Sequence, residues 1–145
     1  MKRIVGILAA LALSAAPAFA TSCAPSNTQV IQNIISATGT GAASTATATL
    51  AAPTGGHAWN VTGIEIFGLG ATGATAVVAT VTGLQGGTLS FTVAVPAGAT
   101  TAITPVVYNP ACPLTGNQNT AIVLSIPTFG AGNTSSIGML HGFQQ

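Results

Sequence analysis

Residues 88–95, TLSFTVAV, place Leu89, Phe91, Val93 and Val95 on one parity and Ser90, Thr92 and Ala94 on the other. Side chains of an extended chain point alternately to opposite faces, so a period of two specifies a strand with one buried face. The pattern recurs at 45–50, where Ala46, Ala48 and Leu50 alternate with three threonines, and at Ile122, Leu124 and Ile126. In none of these runs does an ion stand on the outward parity; hydroxyls and methyls do. A chain written this way is confined to sheet architectures.

Other segments refine the pattern. In HAWNVTGIEIFG, Trp59 and Val61 share one parity and Ile64 and Ile66 the other. A β-bulge at Gly63 returns all four to one face, because one inserted residue flips the register. Residues 75–82, TAVVATVT, are apolar on both parities, as a central strand would be. Gly86-Gly87 marks a two-residue hairpin loop. Pro105 assigns TAITPVVY to a sheet edge or a bulge. After a turn at FGAGN, Ile137, Met139, His141 and Phe143 share a parity and are expected to face inward. Residues 29–37, QVIQNIISA, fit either a helix face or a strand. Seven or eight short strands at intervals of about ten residues predict an all-β protein: one antiparallel β-sandwich or jelly-roll-like domain over 45–145, preceded by an N-terminal arm over 21–44.

Residues 1–20 have the layout of a secretory leader: Lys2 and Arg3, an apolar run, and Ala18-Phe19-Ala20 at its end. Their removal leaves 125 residues (145 less 20) and takes away the chain's only lysine and arginine. Such a protein is exported to periplasm, cell surface or medium, and the apolar run is too short, with Pro17 inside it, for a membrane span in the mature form. What remains carries Glu65, His57 and His141 as its only acid and histidines, so nothing in it attracts nucleic acid. Cys23 and Cys112 suit one disulfide in an oxidising compartment. Their separation of 89 residues (112 less 23) gives such a bridge an upper value of about 4–5 kcal/mol. Lipid attachment at Cys23 and two free thiols are the alternatives.

Chemistry has few groups to work with. His57 and Glu65 are eight residues apart on what reads as one strand, roughly 26 Å if straight, too far to share a metal ion. No aspartate exists for a Ser-His-Asp triad and no Gly-x-Ser-x-Gly elbow occurs. GLGATG reads as a turn, and the sequons at Asn60 and Asn133 as chance. No catalytic residue, metal site or cofactor is therefore assigned. Trp59 and Tyr108 are the candidate ligand-facing aromatics, able to form a sugar platform where exposed; core packing for Trp59 and a rim position for Tyr108 are the commoner alternative.

The stretches GTLSFTVAVPAG, NTAIVLSIP, GAGNT and the closing HGF, within residues 57–145, resemble small β-rich structural proteins of tailed bacteriophages. The resemblance implies a role in a virion surface, tail or decoration layer, without catalysis. Virion proteins of that kind assemble in the cytoplasm, so the leader leaves an exported bacterial surface protein of similar build beside the virion.

Near-zero net charge removes the repulsion that keeps proteins apart, and uncharged polar faces lose little on contact. The expected function is a non-enzymatic structural protein that self-associates as a homo-oligomer, or joins a virion or cell-surface lattice. The alternative is an exported binding module for glycans or other neutral ligands.

Overall fold

β-branched and hydroxyl residues in alternation give extended segments wherever a buried face can be completed. The computed structural model describes residues 35–145, and nine strands run through them. They are β1 (Ile35–Gly41), β2 (Ala46–Leu50), β3 (Trp59–Gly68), β4 (Thr75–Leu84), β5 (Gly87–Val95), β6 (Val106–Tyr108), β7 (Leu114–Thr115), β8 (Ile122–Ile126) and β9 (Ser136–Gln144). Among the described residues no helix is long and apolar enough to cross a membrane. The leader, Cys23 and the first part of the arm lie outside the described residues. Ile35–Gly41 of that arm forms a strand paired with β9, so the sandwich starts ahead of residue 45.

Two antiparallel sheets face each other. One has the order β1-β9-β3-β6, with β7 also pairing β3; the other has the order β2-β8-β4-β5. The pairs β1/β9, β2/β8, β3/β6 and β4/β5 follow one another along a single folded ribbon. Successive pairs fall in alternate sheets, which is the winding of a jelly roll. Every pair except β4/β5 joins segments far apart in sequence.

The core lies between the sheets. β2 contributes Ala46, Ala48 and Leu50, β8 contributes Ile122, Leu124 and Ile126, and β5 contributes Val93 and Val95. On β3 the register shifts between Val61 and Gly63, and Trp59, Val61, Ile64 and Ile66 are all buried, as the parity switch predicts. Each large side chain so enclosed is worth about 1.5–3 kcal/mol over its exposed state. β4 is central in its sheet, yet Val78 on its outer face is 50 % exposed. The hairpin after it turns through Gln85 and Gly86, since Leu84 pairs with Gly87, one residue earlier than the glycine pair suggests. β6 begins directly after Pro105 and lies at a sheet edge.

The last strand corrects the sequence reading. Ser136, Gly138, Leu140 and Gly142 face inward, and Ile137, Met139, His141 and Phe143 face outward. The reason is close approach: a Cβ on Gly138 would stand 2.7 Å from Ile126 Cδ1 and 2.8 Å from Leu124 Cδ2. A Cβ on Gly142 would stand 2.8 Å from the carbonyl oxygen of Asn60. Small residues let β9 settle onto β8 of the second sheet at Gly138 and lie close to β3 at Gly142, and its large residues are left on the other side.

Candidate functional site

β9 is flanked by β1 and β3, and its outward side chains form rows with theirs. Ser36, His141 and Gly63 stand opposite one another across three strands. The next row is Thr38, Met139, Glu65 and Val107, across four. Ile137, Phe67 and Phe143 extend the same outer face, each half-buried, while Val107 is 54 % exposed.

Within these rows three groups meet that are distant in sequence. Ser36 Oγ and His141 Nδ1 are 2.7 Å apart, and His141 Nε2 lies 3.7 Å from Glu65 Oε1. With the Nε2 proton toward the carboxylate, Nδ1 accepts from the serine hydroxyl. Gly63 makes room beside the ring: a Cβ there would come within 3.3 Å of His141 Cδ2 and 3.1 Å of Asn109 Oδ1. The side chains of His141 and Glu65 are each 29 % exposed, so their attraction is screened and small.

Hydroxyl, imidazole and carboxylate in this order have the connectivity of a nucleophilic triad. Nucleophilic chemistry also needs preset donors around an oxyanion and a cleft that orients a substrate. Ser36 sits within an edge strand on a sheet face, beside Thr38 and Met139. Hydrogen bonding between cross-strand neighbours is what such a register produces.

The other candidate residues lie elsewhere. His57 is exposed in the loop before β3, where its carbonyl accepts from Asn119 N, so it does not join His141 and Glu65. Among the described residues no three His, Cys, Asp or Glu side chains are grouped to hold a metal ion. Trp59 is 2 % exposed and donates from Nε1 to the Ala51 carbonyl at 2.7 Å. It packs in the core and offers no ring face to a ligand. Tyr108 is half-buried at a rim, its ring centroid 5.5 Å from that of Phe91 with the planes at 58°. Cys112 is not a free thiol, and Cys23, its expected partner, lies outside the described residues. Asn60 and Asn133, which head the two sequons, are buried. Asn60 Nδ2 donates to Gln145 Oε1, and Asn133 Nδ2 to the carbonyls of Leu69, Gly70 and Ser135.

Sequence reasoning missed Ser36. No local motif marks it, since its neighbour His141 is 105 residues away and only the β1/β9 register brings the two together. Compared with known protein families, curated proteins and solved structures, the chain matches none.

Proposed function

We propose that this chain is a non-enzymatic structural protein that works as one copy among many, forming or decorating the surface of a virion or a bacterial cell. The observation that carries the reading is the character of the outward faces. On the first sheet Ile137, Met139, Phe143, Phe67 and Val107 stand outside the sandwich, and the one carboxylate there, Glu65, has His141 beside it. On the second sheet Thr47, Ser125, Thr80 and Ser90 form a single hydroxyl row across all four strands. Apolar area left outside a core favours contact with another surface. Hydroxyls tolerate such contact without the cost of desolvating ions.

The same reading includes export by the residue 1–20 leader and a Cys23–Cys112 bridge formed in an oxidising compartment. The jelly-roll winding is shared by capsid and lectin domains, so fold alone does not choose between assembly and sugar binding. The burial of Trp59 takes away the platform that a glycan-binding module would use.

Static light scattering of the purified chain from about 1 to 100 μM, in low and high salt, tests this. Association above the monomer mass is expected, and it should change little with ionic strength because few charges are there to be screened. A monomer at every concentration would end the reading.

A further inference from the structure

The two sheets have four edges, formed by β1, by β6 with the two-residue β7, by β2 and by β5, and three of them are protected. β1 and β2 pack against each other where the chain passes from one sheet to the next. β6 is three residues long and lies between Pro105 and Pro110. β5 has neither defence. It runs nine residues, Gly87–Val95, without proline or charge, and among the described residues it pairs only with β4. Proteins usually blunt such edges with lysine, proline, bulges or a covering element, because a row of open backbone groups is a template for another strand.

The apolar residues behind this edge are also incompletely covered. Leu89 and Phe91 are half-buried, as are Tyr108 and Leu114 across the gap between the sheets. Beside the start of β5 is a recess of about 200 Å³ lined by Leu84, Thr88, Leu89 and Leu114 among others. Unpaired backbone, a half-open apolar row and a recess thus lie along one rim.

We propose that β5 pairs antiparallel with β5 of a second copy, joining the two four-stranded sheets into one of eight strands. This rests on the assembly reading and names the contact within it. The occupant follows from the strand itself. No Asp, Glu, Lys, Arg or His occurs between Glu65 and His141, so the edge carries no charge with which to select a foreign partner. Its alternation is self-complementary. A two-fold axis at Phe91 sets Ser90 of one copy opposite Thr92 of the other, and Leu89 opposite Val93. Apolar residues then meet on the inner face and hydroxyls on the outer, and the far end of the second β5, with Pro96, arrives at the recess. An interface of this kind is isologous and closes as a dimer.

Two substitutions on the exposed parity test it. In S90K/T92K, lysines stand directly opposite lysines across the proposed contact, and dimer affinity should fall about tenfold or more. In S90E/T92K, each glutamate faces a lysine of the other copy, and association should return to the wild-type range. T47K, a lysine on the outer face of β2 in the same sheet, should leave association unchanged. Hydrogen exchange of the wild-type chain gives a readout that no variant's folding can disturb: alternate amides of residues 88–94 should gain protection as concentration rises. Association of S90K/T92K equal to wild type, or loss of association in both double variants, or exchange at β5 independent of concentration overturns the β5 contact and leaves assembly through another surface standing. A wild-type chain that is monomeric throughout overturns both.

Discussion

At the β1/β2 rim the backbones of the two sheets touch. Gly39 lies so close to β2 that a Cβ would overlap the Thr47 carbonyl group. Behind that contact Ala46, Ala48 and Leu50 are sealed to within 1 % exposure. At the β5/β6 rim the sheets stand apart, bridged by the rings of Phe91 and Tyr108, and Leu89 and Leu114 remain half-buried. Both rims are built from the same small palette of residues. The difference lies in how near the backbones approach: missing side-chain atoms close one rim, and side chains too few to fill the gap leave the other open. A sandwich with one closed rim can form its core alone and still present an unfinished edge.

Breaking the closed rim should have the largest effect. Gly39→Ala places a methyl against main-chain atoms of Thr47, which cannot rotate away as a side chain would. A loss of about 3 kcal/mol or more is expected, at the severe end of overpacking, measured by chemical denaturation. A cost under about 1 kcal/mol would mean that the rim yields easily and that the contrast between the two sides is overstated.

The comparison is sharpened by one substitution made at both rims. Leu50→Ala empties a site that is 1 % exposed and should cost about 3 kcal/mol, the usual range for a sealed leucine. Leu89→Ala removes a half-buried leucine beside an existing recess and should cost about 1 kcal/mol. Dilute protein is the condition for this measurement, because pairing through β5 would bury Leu89 further and raise its cost. Equal costs at the two positions in dilute solution would show that the β5 rim is already closed.

Reading these rims from sequence succeeded where period two decides the outcome. In β2, β5 and β8 one parity is the more apolar, and the bulge in β3 was visible because Trp59 and Val61 change phase with Ile64 and Ile66. β9 defeated the same rule. Its larger parity faces outward because Gly138 and Gly142 are needed where β9 meets Leu124, Ile126 and the backbone of Asn60, and close approach outranks side-chain size. Trp59 follows the parity it shares with Val61: its indole completes the core and finds a carbonyl at Ala51. The Ser36–His141–Glu65 line was not legible at all, since it depends on the registers of β1, β9 and β3, and those are set by pairing between distant segments.

That line also bears on the closed rim, on the face opposite the Gly39 contact, and it supplies the smallest predicted effect. The Ser36–His141 hydrogen bond ties the edge strand β1 to β9, and Glu65 reaches the ring from β3. All three groups stand on the outer face, where water competes for the same hydrogen bonds and screens the attraction between His141 and Glu65. Ser36→Ala and Glu65→Gln should each cost less than about 1 kcal/mol. Because both partners act on one ring, the double variant should cost less than the two losses combined. Hydrogen exchange resolves where the loss falls: β1 amides should exchange faster in Ser36→Ala while β5 amides are unchanged. If protection fell equally at both rims, the rims would share one opening unit, and the closed side would owe its stability to the whole sheet rather than to the glycine contact and the polar line beside it.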